Sequence, residues 1–299
     1  MVLKLCKILQ AVDVVNPITL LDAAVEVALG QGNGKPTVSQ ETFDTLVHYF
    51  KYSSSSFLRH LPKTPLVNGS NKIYEFRSSQ TYVAGYIAVD HSRHEIVLVF
   101  RSTANPMNVF NDCLIYKVDL QTPTPLPGAE VHYGFQKCWL SVSHLVRPTL
   151  DLLLATHPRY TLVLAGHSLG GAISSIASLT LKQLYPHRPM RLYTYGQPRT
   201  GNENFARAVT DTLGPANIFR VVRSNDGVPA LCPRTLGFKH HGTEYWVLDP
   251  PLPTRTFVCN AAGIYDEDPH GSNSSVLRLG VNLAHMSYFG IPGCMPFRD

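Results

Sequence analysis

The sequence predicts an α/β fold in which a mixed, mostly parallel central sheet is flanked by helices. Three observations carry this. Short apolar or β-branched runs at residues 161–165, 191–195 and 219–223 alternate with helical stretches around 135–155 and over 171–184. In the second helical stretch Ile173, Ile176, Leu179 and Leu181 share an apolar stripe. Such alternation buries both faces of a parallel sheet under helices. The third observation makes the sheet mixed: runs 82–89 and 95–100 flank the turn DHSRH as an antiparallel hairpin, and the later run EYWVL adds a further strand.

The chain of 299 residues is 44% hydrophobic and 16% charged, enough to build a sizeable core and too apolar for wholesale disorder. It has no repeats and no low-complexity linker. The run Ser53 to Ser56 is too short to separate domains, and QTPTPLPG (121–128) reads as a surface loop. A single domain over 1–299 is expected, with 1–75 as an N-terminal extension and helix. The formal net charge is +5, with Lys and Arg scattered. That pattern excludes a nucleic-acid footprint and supports at most a weak preference for anionic interfaces.

No apolar run reaches the ~18 residues of a membrane span, so no transmembrane segment is expected. The start MVLKLCKILQAVDVV opens like a leader, but Lys7, Gln10 and Asp13 interrupt the apolar stretch. The six cysteines, Cys6, Cys113, Cys138, Cys232, Cys259 and Cys294, form no CxxC pair. Buried thiols and disulfides both remain open on spacing alone. The histidines show no zinc-like spacing, so no metal and no cofactor are expected. The sequons at Asn68 and Asn273 are compatible with secretion but arise often by chance.

The most specific segment is TLVLAGHSLGG, residues 161–171, which contains Gly166-His-Ser168-Leu-Gly170. This G-x-S-x-G pattern lies between an apolar strand and an amphipathic helix, the context that gives it meaning in an α/β-hydrolase fold. A serine on a strained strand-to-helix turn is pushed out at the carboxyl end of the strand. Glycines two residues before and after let strand and helix approach closely. The first N–H groups of the helix then face the place where an oxyanion would form.

A serine hydroxyl is a weak nucleophile and needs a base oriented by an acid. In this fold the order is serine, acid, histidine. Asp226 is the best acid on position, because the strand-like FRVVRS ends in the turn NDGVP. Position alone does not choose the base among His240, His241, His270 and His285. His167 is adjacent to the serine, and consecutive side chains at such a turn diverge, so a local packing role is expected.

At these residues the chain resembles the class 3 fungal lipases of the filamentous-fungus type. The resemblance runs from about Tyr82 to the C-terminus through IVLVFRST, VHYGF, GHSLGG, YTYGQPRTGNENFA, VVRSNDGVPAL, HHGTEYWV, EDPHGSNSS and HMSYFG. It implies Ser168 as nucleophile, Asp226 as acid and His285 as base, at spacings of 58 and 59 residues. It implies an oxyanion hole from Thr103 and the Leu169 N–H, with Ser102 where the family usually has Gly. It implies a lid over residues 104–112, with Met107, Val109 and Phe110 as its apolar contribution. His270 matches a family histidine outside the triad, and a structural role is expected for His241. Among the cysteines, Gly271 stands where a partner for Cys259 is often found; Cys294 lacks its usual partner, and Cys6 is a substitute.

The resemblance further implies a serine carboxylic ester hydrolase that acts on lipid esters at a lipid–water interface, most simply an acylglycerol lipase, extracellular and monomeric. A feruloyl-type esterase and a phospholipase A1 share the fold. A non-catalytic lipid-binding relative is the reading from another class, and fluorophosphonate labelling separates it from an enzyme.

Overall fold

The computed structural model describes residues 34–57, 67–101, 116–260, 263–274 and 280–293. Helix α1 (Gln40–Ser55) comes first, its N-terminus capped by the Ser39 hydroxyl accepting from the Thr42 N–H at 3.1 Å. Strands β1 (Asn71–Arg77), β2 (Ala84–Asp90) and β3 (Glu95–Arg101) follow as an antiparallel meander. A short pair, β4 (Lys117–Asp119) and β5 (Glu130–His132), leads into helix α2 (Tyr133–Thr156). The chain then alternates through β6 (Thr161–His167), α3 (Leu169–Leu184), β7 (Met190–Tyr195), α4 (Glu203–Leu213) and β8 (Ile218–Arg223). Strands β9 (Glu244–Val247) and β10 (Thr256–Cys259) close the sheet, and a small ladder, β11 (Ser287–Tyr288) with β12 (Ile291–Pro292), ends the described chain.

Among the described residues the sheet has eight strands in the order β1-β2-β3-β6-β7-β8-β9-β10. Pairing is parallel from β3 to β9 and antiparallel at both flanks. The expected front hairpin and the parallel centre are both present, with strand ends within two residues of those read off the sequence.

Period-two alternation decides which side chains meet which helices. On β3, Ile96, Leu98 and Phe100 join the cluster under α2, α3 and α4, whereas Val97 and Val99 face the cluster that contains α1. Helix α1 contributes Leu46, Tyr49, Phe50 and Tyr52 to that second cluster, so this helix of the N-terminal region packs into the same core as the central strands. No helix among the described residues is long and apolar enough to cross a membrane.

Candidate active site

The carboxyl ends of β6 and β8 present Ser168 and Asp226, and the chain returns to put His285 on Asp226. Ser168 sits between β6 and α3 with φ 58° and ψ −127°, a region that side chains rarely occupy. The turn is held by the Ser168 N–H donating to Tyr195 O at 2.8 Å and the Gly171 N–H donating to Ser168 O at 2.9 Å. The flanking glycines are sterically required. A Cβ on Gly166 would lie 2.3 Å from the Gly170 carbonyl, and one on Gly170 would lie 2.2 Å from Phe100 O. The G-x-S-x-G pattern is therefore the imprint of β6 and α3 touching each other and of α3 touching β3.

Asp226 lies just past β8, after Asn225 in the left-handed region at φ 61°. It is fully buried. Its carboxylate accepts the Val228 N–H at 2.9 Å, the Tyr288 hydroxyl at 2.5 Å, and His285 Nδ1 at 2.9 and 3.0 Å. Burial pushes the Asp226 pKa up, but the His285 charge and the bonds from His285, Tyr288 and Val228 outweigh it, and the carboxyl ends below its ordinary range. Tyr288 is driven the other way, by burial first and then by the adjacent carboxylate, so its proton stays on the phenol.

His285 occupies a short 3-10 turn, Leu283–Met286, capped by Asn282. In the neutral ring a carboxylate at Nδ1 keeps the hydrogen on that nitrogen and leaves the Nε2 lone pair available; in the charged ring both nitrogens donate. His285 Nε2 and Ser168 Oγ are both buried and without a hydrogen-bond partner among the described residues. A buried hydroxyl and a buried imidazole nitrogen left unpaired in this way are each open to a partner from outside the chain.

His167 fills the local role expected of it. Its ring stacks on that of His285 at 4.4 Å between centroids, and its Nε2 donates to the His285 carbonyl at 2.9 Å. Burial and then the His285 charge push its pKa down to about 3, so it is a neutral strut. Of the other histidines, His241 is buried beside Gln197, and His240 is buried with Nε2 on Pro229 O. His270 is exposed. Among the described residues, the histidine that bonds Asp226 is His285. Leu169 opens α3, where the first backbone donors have no intrahelical acceptor. Thr103 and the lid positions Met107, Val109 and Phe110 lie outside the described residues. No group of three or more His, Cys, Asp or Glu arranged to hold a metal ion occurs among the described residues.

Sequence reasoning did not single out Tyr288 or Asn282, although Tyr288 lies inside the HMSYFG block. Nor did it find two buried ion pairs: Arg199–Glu267 at 2.7 Å, which ties the segment before His285 to the core, and Arg220–Glu244 at 3.0 Å, which joins β8 to β9. Cys259 is a buried free thiol, and a Cβ on Gly271 would lie 3.2 Å from its Cβ, so the two positions do face each other. Cys6, Cys113 and Cys294 lie outside the described residues.

Comparison with known proteins agrees with this geometry. The family model described as Lipase (class 3) matches residues 97–236. A secreted mono- and diacylglycerol lipase of Fusarium solani is 31% identical over 220 residues, covering 73% of this chain and 63% of that protein. A secreted mono- and diacylglycerol lipase of Penicillium cyclopium is 35% identical over 184 residues, covering 61% and 58%. The chain thus spans about three fifths of the length of these curated relatives. The solved structure of the Rhizomucor miehei triacylglyceride lipase superposes with a TM-score of 0.76 at 30% identity, over 87% of this chain and 99% of that one. Strand order, elbow and sequence agree: the fold is of the α/β-hydrolase type, and the chain belongs to the class 3 lipase family.

Proposed function

We propose that this protein is a serine carboxylic ester hydrolase that cleaves lipid esters, most simply acylglycerols, by a two-step acyl-enzyme mechanism. The observation that carries the reading is Ser168 on a strained elbow whose neighbour His167 stacks at 4.4 Å on the ring of His285, which is itself held on Asp226 at 2.9 Å. His285 takes the Ser168 proton as the oxygen attacks the ester carbonyl. The Leu169 N–H and, from the sequence, Thr103 stabilise the oxyanion. His285 then protonates the leaving alcohol, and a water activated by the same imidazole hydrolyses the acyl-enzyme. Asp226 orients the ring and stabilises its cation.

The relatives named mono- and diacylglycerol lipases and the triacylglyceride lipase support acylglycerols as the substrate class. The secreted status of two of them supports an extracellular setting. Met107, Val109 and Phe110 supply, on the sequence, an apolar lid suited to a lipid–water interface. A hydrolysis panel of tri-, di- and monoacylglycerol, a phospholipid and methyl ferulate tests the reading, with Ser168→Ala as control. Acylglycerol turnover that Ser168→Ala lowers by several orders of magnitude is expected. Turnover of methyl ferulate alone would replace the lipase reading with a soluble-ester esterase, and activity surviving in Ser168→Ala would remove the nucleophile.

A further inference from the structure

Asp226 and His285 are 59 residues apart in the chain, so the distance between them depends on how two turns are fastened together. Arg223, the last residue of β8 and three residues before Asp226, spans that gap. Its Nε donates to both Asp249 oxygens at 3.1 and 3.0 Å, and its Nη2 donates to Asp249 Oδ2 at 2.7 Å. The remaining edge of the guanidinium faces the base turn. Nη1 donates to Ser287 O at 3.0 Å and Ser287 Oγ at 2.7 Å, with a longer contact of 3.4 Å to Ala284 O. Ala284 and Ser287 lie on either side of His285. Asn282 makes a second strap: its Nδ2 donates to Asn225 O at 2.6 Å, and its side-chain oxygen accepts the His285 N–H at 3.2 Å.

We propose that Arg223 is a positioning residue for catalysis, clamping the turn that carries the base onto the strand that presents the acid. The proposal rests on the reading of Ser168, Asp226 and His285 as the catalytic set. A guanidinium suits the task because its planar fork holds several acceptors in fixed directions. Asp249, just past β9 beside β8, locks one edge and so fixes where Nη1 points. The Arg223–Asp249 pair is internally neutralised, so its action on the imidazole is geometric. A 1 Å misplacement of a reacting group costs ~100-fold in rate, which makes such a fastening consequential.

The test compares Arg223→Met, Arg223→Lys and Asp249→Asn with wild type on a soluble short-chain p-nitrophenyl ester, and measures fluorophosphonate labelling of Ser168. Arg191→Met, which removes a half-exposed guanidinium near the amino end of β7, serves as the stability control. Arg223→Met is expected to lower kcat about 10- to 100-fold with KM within about twofold, and to slow labelling equally. Arg223→Lys, which keeps one charged donor, should recover part of kcat. Arg191→Met should lower Tm and leave kcat unchanged. A folded Arg223→Met with wild-type kcat overturns the proposal, as does a loss confined to KM or one matched by Arg191→Met. If Arg223→Met does not fold, Asp249→Asn decides: a fall in kcat at unchanged KM supports the clamp, and wild-type kcat overturns it. Failure of the underlying catalytic reading looks different, because wild type itself would then escape labelling at Ser168.

Discussion

Tyr288 donates its hydroxyl to Asp226 Oδ2 at 2.5 Å, the same oxygen that His285 Nδ1 bonds at 2.9 Å. Both partners are buried, so the bond replaces water that the carboxylate cannot reach. A hydrogen bond to a charged group contributes roughly 1.5–3 kcal/mol. Tyr288→Phe is expected to lower kcat on a soluble ester several-fold with KM little changed. Since the Tyr288 bond helps hold the Asp226 pKa down, its removal moves that pKa up. A rate profile of Tyr288→Phe should therefore fall away at higher pH on its acid side than wild type. A superimposable profile would mean that the phenol only fills space.

Ser168 at φ 58° stores backbone strain that glycine would not feel. Such a conformation costs about 1–3 kcal/mol for a residue with a side chain. Ser168→Gly and Ser168→Ala should both be inactive, yet Ser168→Gly should be the more stable by about 1 kcal/mol after its larger unfolded-state entropy is counted. Urea denaturation of the two variants measures the difference. Equal stabilities would show that the elbow is relaxed.

His167 and His241 are buried neutral, each with its pKa pushed down to about 3, burial being the leading cause in both. In the unfolded chain each titrates near 6.5, so between pH 6.5 and 3 the unfolded state binds more protons. Stability is therefore full above about pH 6.5 and declines as pH falls toward 3, by about 1 to 1.5 kcal/mol per pH unit for each histidine. His241→Gln, which keeps a polar partner for Gln197, should flatten the decline by one proton's worth. Denaturant titrations at pH 7.5, 6 and 5 read the slope, and an unchanged slope would remove His241 from the account.

The elbow was legible because its constraints are local. Gly166 and Gly170 are dictated by contacts that any strand–turn–helix of this kind must make, and Ser168 lies between them. The acid and base needed more. His240, His241 and His285 are all buried histidines, and only the three-dimensional return of the chain puts His285, rather than the other two, on Asp226. Tyr288 and Arg223 act across 62 and 64 residues of sequence, on Asp226 and Ser287, and no short-range pattern encodes such pairings. The run Ser53–Ser56 shows what composition leaves out. It was legible only as a polar run too short to separate domains, and all four serines are buried at the end of α1. Their hydroxyls serve nearby carbonyls, with Ser55 donating to Tyr52 O at 2.9 Å, Ser56 to Ser53 O at 2.6 Å, and Ser54 to Pro292 O at 2.5 Å. A hydroxyl satisfied in this way can be buried at little cost.

Gly271 offers a stability test at the cysteine the sequence leaves unpaired. A Cβ there would lie 3.2 Å from the Cys259 Cβ, a little shorter than the usual disulfide spacing of about 3.5–4.5 Å, so the two positions must part slightly. The same Cβ would meet Glu244 Oε1 at 2.7 Å, and Glu244 is engaged by Arg220 and by Ser272 at 2.7 Å, so it cannot retreat freely. Gly271→Cys should form the Cys259 bridge under oxidising conditions. The closed loop is short, so the model-dependent entropic gain is about 3 kcal/mol. Displacement of Glu244 from the buried Arg220 subtracts from that gain. Oxidised Gly271→Cys should therefore exceed its own reduced form in Tm by several degrees, with a smaller advantage over wild type. Free-thiol counting before and after reduction, together with the three melting curves, checks both parts. If oxidised Gly271→Cys keeps both thiols, Glu244 and Arg220 hold the position too tightly for the bridge to close.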